Sequence, residues 1–138
     1  MPNHVHLLIY VSKGKDTINT LLANGKRFLA YEIVKRLEDV GCADILEVLA
    51  NKVTPAERDR KKKHRVFEVS SDVKACYTEK FLLQKLAYTH LNPVRGNWKL
   101  VDSFEKYPHS SAGFYELNER HEKVTITHWK DVGMVLSS

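Results

Sequence analysis

The segment from Asn3 to Val11 constrains the fold more than any other part of the sequence. Two early histidines lead into the run Leu-Leu-Ile-Tyr-Val, and an apolar, β-branched run of this length is typical of a buried strand. Side chains alternate between the two faces of a strand, so His4 and His6 should project to one side and Val5 and Leu7 to the other. The sequence therefore predicts a strand that Val5 anchors in the core.

Apolar residues at helical spacing dominate much of the rest of the chain. After a turn at 12–15, they predict a helix that Asp16 caps and that runs to Gly41, with a bend or break near Gly25. A short helix is predicted over 43–51. The sequence Thr-Pro-Ala-Glu at 54–57 has the form of a capping box that opens another helix.

The clearest helix is predicted to start at Thr78 and to end near Leu91. Pro93 sets this end, because a proline disfavours helical geometry in the residue before it. The residues at 66–69 alternate like a short strand, and those at 110–119 are compatible with a last helix.

Length and composition are those of an ordinary globular chain. With 138 residues, 43% of them hydrophobic, the sequence predicts a single domain over 1–138 that can bury a core. Lys and Arg number 22 against 17 acidic residues, and the net charge of +5 fits a polyanionic partner such as nucleic acid, although many proteins without one are as basic. The two cysteines lack metal-site spacing, and no segment resembles a membrane span or a secretory signal. We therefore expect a cytoplasmic protein with no membrane partner.

The His4-Val5-His6 sequence is a candidate metal site. Two imidazoles side by side on a rigid strand can bind one divalent cation with little loss of conformational entropy. Such a site needs a third ligand from elsewhere in the chain. The alternative is that both histidines are simply polar residues of a half-buried strand.

The predicted helix at 78–91 offers a nucleophile and a third ligand. Tyr88 and Asn92 lie four residues apart and share a helix face, which Gln84 extends, while Lys85 lies three residues before Tyr88. A phenol is a poor nucleophile at its usual pKa of about 10, but a divalent cation and Lys85 would favour the phenolate. The Asn92 amide oxygen would complete ligation that suits Mg²⁺ or Mn²⁺. The alternative is that Tyr88 is a core aromatic and Asn92 a helix C-cap.

His90 is expected to have a different role. It lies two residues from both Tyr88 and Asn92, so its side chain points well away from theirs. We therefore predict packing, or a hydrogen bond at the helix end, rather than metal ligation.

Two segments resemble the signature motifs of a known family. Met-Pro-Asn-His-Val-His-Leu-Leu at 1–8 and Tyr-Thr-His-Leu-Asn-Pro-Val-Arg-Gly at 88–96 resemble those of the IS200-like, or Y1, transposases, which belong to the HUH single-strand DNA nucleases. The nearest branch is the tyrosine transposases associated with repetitive extragenic palindromes. The stretches at 28–31 and 106–112 also resemble family segments. The resemblance covers about residues 1–117 and leaves 118–138 as a tail of unassigned role.

The resemblance implies a role for each motif residue. His4 and His6 would bind the divalent metal, Asn92 would complete its ligation, and Tyr88 would attack a DNA phosphate to give a 5′-phosphotyrosine link and a free 3′-OH. The implied activity is a DNA transposase that cleaves and rejoins single-stranded DNA, often beside a hairpin. The alternative is a non-catalytic DNA-binding remnant of such an enzyme, and a third hypothesis is a small metal-binding or interaction domain unrelated to DNA.

The resemblance also implies a fold. The family has an α+β fold, ferredoxin-like, with an antiparallel sheet that carries helices on its faces, and many members are dimers. In the family at least one strand precedes the metal strand, whereas this sequence starts at the motif. We therefore expect a sheet that lacks an N-terminal strand, with an edge that a partner chain, in a homodimer, would cover.

Basic side chains are the candidate contacts to DNA phosphates. Lys85 and Arg95 flank the tyrosine motif, and a basic run lies at 58–65. Binding through this run should weaken with salt, and the alternative is a solvated loop. Its candidate residues are Arg58, Arg60, Lys61, Lys62, Lys63 and Arg65.

Overall fold

The computed structural model describes residues 1, 3–11 and 17–132, and helices account for 52% of these residues. The α-helices in this part of the chain are α1 (Ile18–Asp39), α2 (Ala43–Asn51), α3 (Pro55–Asp59), α4 (Glu79–Leu91) and α5 (Ala112–Leu117). Short 3-10 helices lie at Asn92–Val94, Phe104–Lys106 and Trp129–Val132. None of the described helices is long and apolar enough to cross a membrane.

The predicted α+β fold with an antiparallel sheet is wrong. The described residues contain no strand or sheet, only an isolated bridge at Thr78. Residues 3–11 have no partner strand among them, and Val5 and Leu7 are 64% and 65% exposed, so the expected anchoring of Val5 in a core is also wrong. β-propensity measures how well a residue fits a pleated, half-buried surface, and it does not form a strand where no neighbour pairs with the backbone.

The short strand predicted at 66–69 is absent as well. The Lys26 ammonium lies 2.8 Å from the Glu68 carbonyl oxygen, 3.3 Å from that of Val69 and 2.9 Å from that of Ser70. Consecutive carbonyls of a strand point to opposite sides, so three that converge on one ammonium group do not belong to a strand.

The helix predicted before Gly41 is confirmed as α1. Thr17 caps its start by accepting a hydrogen bond from Thr20 N at 3.2 Å, while the turn at 12–15 and the Asp16 cap lie outside the described residues. No break occurs at Gly25, since α1 is continuous through it. Gly41, at φ +70, ends the helix in a left-handed conformation that favours glycine.

The helices predicted around residues 43–57 are confirmed. Helix α2 has the predicted bounds, and α3 opens with the capping box, in which the Glu57 carboxylate accepts from Thr54 N and Oγ1, both at 3.0 Å. Helix α2 packs against α1.

The helix that carries Tyr88 is confirmed as α4. Thr78 caps it by accepting from Phe81 N at 3.2 Å, and Leu82, on its inner side, is 1% exposed. Pro93 lies in the 3-10 helix Asn92–Val94, which continues directly from the last turn of α4. The region predicted as a last helix forms α5, which is shorter than the predicted range, and α5 packs on the 3-10 helix Phe104–Lys106.

The chain divides into two compact units. Unit 1 comprises Met1–Tyr10 and Lys74–Ser138, and unit 2 comprises Val11–Val73. Unit 1 brings the N-terminal segment to α4 and therefore contains both sequence motifs. The single domain expected from the chain length stays a prediction.

Candidate active site

His4 and His6 lie together on the extended N-terminal segment. Their ring centroids are 4.8 Å apart and the ring planes meet at 81°, so both imidazoles project to the same side, as predicted. The segment has this alternation without belonging to a sheet. Two imidazole rings are thus adjacent in unit 1.

Asn3 contacts His4. The His4 Nδ1 atom lies 2.7 Å from the Asn3 side-chain oxygen, an arrangement that matches the tautomer with the proton on Nδ1. The other ring nitrogen, Nε2, then carries the lone pair. Metal-binding histidines commonly use one ring nitrogen in this way to orient the other.

The third predicted ligand meets His6. Asn92 Nδ2 donates a hydrogen bond of 2.8 Å to His6 Nε2, across 86 positions in sequence. Asn92 is at the C-cap position of α4, as one alternative supposed, but its amide contacts His6. The end of α4 is thereby joined to the His-Val-His segment.

Tyr88 packs against the same imidazole. The Tyr88 and His6 ring centroids are 5.4 Å apart, with the ring planes at 82°, which is an edge-to-face contact. Tyr88 is 53% exposed, so it is not a core aromatic and part of its side chain is open to solvent. The structure therefore places His4, Tyr88 and Asn92 each beside His6.

The residues at this point fit a divalent cation. Burial, then the neighbouring His4 and the N-terminal ammonium, lower the pKa of His6, which favours the neutral imidazole whose Nε2 lone pair accepts from Asn92. Neighbouring ligands of an octahedral cation lie about 3 Å apart, which is close to the separation of the His6 and Asn92 side-chain nitrogens. Rotating the Asn92 amide by half a turn would exchange its nitrogen and oxygen, so that the oxygen would lie beside His6 Nε2. No cluster of three His, Cys, Asp or Glu with metal-binding geometry lies in the described residues, so the third ligand would be this amide.

The two basic residues predicted beside the tyrosine have different surroundings. The Lys85 ammonium lies 4.9 Å from the centroid of the Phe81 ring, one turn earlier on α4. Arg95 is exposed just after the 3-10 helix Asn92–Val94, and its backbone N–H donates to the Asn92 carbonyl. Arg95 is thus held close to a predicted ligand in sequence, with its guanidinium in solvent.

The basic run at 58–65 lies in unit 2 and divides into two groups. Arg58 donates to the carbonyls of Val53 and Ala50, while Lys62 and Arg65 form ion pairs with Glu57 at 2.7 Å and 3.0 Å. In the described chain, no side-chain partner accompanies the other three basic residues, which are Arg60, Lys61 and Lys63. These three are therefore the ones available to phosphates.

His90 is buried on the side of α4 away from Tyr88. It is 2% exposed, its Nε2 lies 2.9 Å from the Ser111 hydroxyl oxygen, and its ring centroid is 5.5 Å from that of Tyr115. Burial lowers the pKa of His90, and the Glu116 carboxylate opposes this shift. The hydrogen bond expected for His90 at the helix end is present.

Sequence reasoning missed two residues that support this site. Asn3 orients His4, and Ser111 holds His90. The signal for Asn3 was its position beside a candidate ligand, whereas nothing local links Ser111 to His90, 21 residues away.

No protein family, curated protein or solved structure matches this chain.

Proposed function

We propose that the chain is a metal-dependent tyrosine strand transferase that cleaves and rejoins single-stranded DNA, as its motifs suggest by their resemblance to the IS200-like transposases. The observation that carries the proposal is the convergence of Tyr88 and Asn92 on His6, with Asn92 86 positions away in sequence. The proposal depends on this site and not on a sheet, which residues 1, 3–11 and 17–132 do not contain.

The proposed step is a phosphoryl transfer to Tyr88. Its phenol oxygen would form a bond to the scissile phosphorus and lose its proton, while the bond from phosphorus to the 3′ oxygen breaks and that oxygen takes up a proton. The products are a 5′-phosphotyrosine and a 3′-OH, and rejoining reverses the same bonds. His4, His6 and Asn92 would hold the divalent cation, whose chemistry is to withdraw charge from the scissile phosphate.

The Tyr88 environment supports this role. Its ring is held by His6 on one side, and its half-exposed position leaves an approach for a nucleic acid strand. An oriented nucleophile beside a bound phosphate removes much of the entropic barrier to attack. In unit 1, Arg95 supplies a free cation near Asn92 in sequence for a substrate phosphate.

The test is a covalent adduct with labelled DNA. Single-stranded DNA with a hairpin is incubated with Mn²⁺ and carries different labels at its two ends. We expect the 3′ label to stay with the denatured protein and the 5′ label to leave on a fragment with a 3′-OH. Tyr88→Phe should abolish the adduct, and Tyr31→Phe, at an exposed tyrosine of unit 2, should not.

One observation favours a second function, the non-catalytic DNA-binding remnant. The histidine segment has no partner strand in the described residues, so less holds it in place than a sheet would. This function predicts salt-sensitive DNA binding with no adduct from the wild type. An adduct that persists in Tyr88→Phe would instead reject Tyr88 as the nucleophile.

A further inference from the structure

We propose that the hydrogen bond between His90 and Ser111 sets the rotation of α4 about its axis and so positions Tyr88 and Asn92 for the site above. The inference rests on the proposed function, because it assigns positioning residues to that site. Neither His90 nor Ser111 would touch the DNA or the metal.

The helix geometry makes His90 a suitable anchor. Two residues in either direction along an α-helix turn by about 200°, so Tyr88 and Asn92 share one face and His90 lies on the opposite one. His6 contacts the first face through Asn92 and Tyr88, and Ser111 contacts the second. Helix α4 is thus held from both sides near its C-terminal end.

The Ser111 side of this contact is itself well fixed. The Ser111 carbonyl accepts from Tyr115 N at 3.2 Å in the first turn of α5, and the neighbouring Ala112 is fully buried. The Tyr115 ring lies against His90, and its hydroxyl accepts from Trp129 N at 3.3 Å. The hydrogen bond therefore connects α4 to a packed part of unit 1.

A small rotation of α4 would matter to the chemistry. A side-chain end lies roughly 5–6 Å from a helix axis, so a turn of about 10° moves it by about 1 Å. A displacement of about 1 Å at a reacting group can slow a reaction roughly 100-fold. The buried Leu82, which is 1% exposed, lies more than one turn before Tyr88. Apolar packing has little directionality, so it fixes the rotation of α4 less precisely than the hydrogen bond between His90 and Ser111.

The decisive variant is Ser111→Ala, with Ser110→Ala as its matched control. The Ser110 hydroxyl accepts only from Ala112 N at 3.2 Å among the described contacts, so removing it leaves His90 untouched. The first measurement uses neither metal nor activity. It is the ring-current shift that Tyr88 imposes on the His6 ring protons in NMR spectra, calibrated by its loss in Tyr88→Leu.

We expect Ser111→Ala to reduce this shift and Ser110→Ala to preserve it. The rate of adduct formation at saturating DNA and Mn²⁺ should fall roughly 10-fold to 100-fold in Ser111→Ala, with the half-saturating DNA concentration unchanged. If Ser111→Ala does not fold, Ser111→Cys decides, because a thiol keeps the shape but is a weaker hydrogen-bonding group.

The inference is overturned if the folded Ser111 variant keeps the wild-type ring-current shift, or if Ser110→Ala reduces the shift equally. A wild type that forms no adduct would reject the proposed function. The ring-current comparison would still decide whether Ser111 positions α4.

Discussion

Units 1 and 2 differ in how far their polar side chains are buried. In unit 1, His90 is 2% exposed and bonds to the half-buried Ser111, and Leu82 and Ala112 are 1% and 0% exposed. In unit 2, Val53 is the one buried hydrophobic residue among those described, and the Glu57 network is partly open to solvent, with the Glu57 side chain 20% exposed and that of Lys62 42% exposed.

This difference shows where precise geometry can be maintained. A hydrogen bond from a buried group has little water to compete with it, so losing it leaves that group unsatisfied and the bonded arrangement is strongly preferred. An ion pair that is partly open to solvent is weakened by screening from water and salt. Unit 1 is therefore suited to hold reacting groups, and unit 2 to present charge to a flexible polyanion.

The largest expected effect is the loss of the unit 1 core. Leu82→Ala would leave a cavity beneath α4 and destabilise the protein by about 2–5 kcal/mol. Leu83→Ala is the matched control, since Leu83 is 42% exposed and its loss should have a much smaller effect. Urea denaturation followed by circular dichroism measures both, and equal losses would contradict the contrast in burial.

A smaller effect is expected from the free basic residues of unit 2. Replacing Arg60, Lys61 and Lys63 by Gln should reduce the slope of log affinity against log salt for single-stranded DNA by about 2, or roughly 20-fold in affinity between 50 and 200 mM salt. Fluorescence anisotropy measures this slope. Lys63→Gln should lower it more than Lys62→Gln, because Lys62 is paired with Glu57; the reverse order would contradict the division of the run.

The smallest expected effect is that acid destabilises the two units over different pH ranges. The pKa values of His90 and His6 are lowered from 6.5, so the unfolded chain binds more protons below that pH and unit 1 loses stability as the pH falls through the lowered values. Hydrogen bonds from Lys62, Thr54 and Arg65 hold the pKa of Glu57 at about 2, so its contribution in unit 2 is complete above pH 4.5 and is lost toward pH 2.

Hydrogen exchange of the α4 and α3 amides, corrected for intrinsic rates, follows these two transitions. His90→Gln should weaken the pH dependence of amide protection in α4 below pH 6.5. Glu57→Gln should weaken the pH dependence of amide protection in α3 between pH 4.5 and pH 2. The assignment of these transitions to the histidines and to Glu57 would be contradicted if α3 lost protection over the same pH range as α4 and neither substitution changed that range.

The helices were predictable from sequence because their signals are local. The spacing of apolar residues and the caps at Thr54 and Thr78 lie within a few positions of what they stabilise, and α2 has its predicted bounds. The sheet was mispredicted because a strand depends on a distant partner. The three carbonyls bound by Lys26 lie 42 to 44 positions away, and no periodicity indicates such a contact.

The candidate site was predictable for a different reason. Helical spacing places Tyr88 and Asn92 on one face, but only the paired motifs connect that face to His6. Ser111 could not be assigned, since a serine before a short helix is common and its contact with His90 depends on tertiary packing.

The most direct test of the account is where Mn²⁺ binds. Paramagnetic broadening in NMR spectra, recorded at substoichiometric Mn²⁺, identifies the side chains closest to the ion. We predict that the His4 and His6 ring signals, the Asn92 amide and the Tyr88 ring broaden first and together, and that His6→Ala removes this selectivity. Broadening that begins elsewhere, or that is unchanged in His6→Ala, would contradict the claim that His4, His6 and Asn92 bind the ion beside Tyr88.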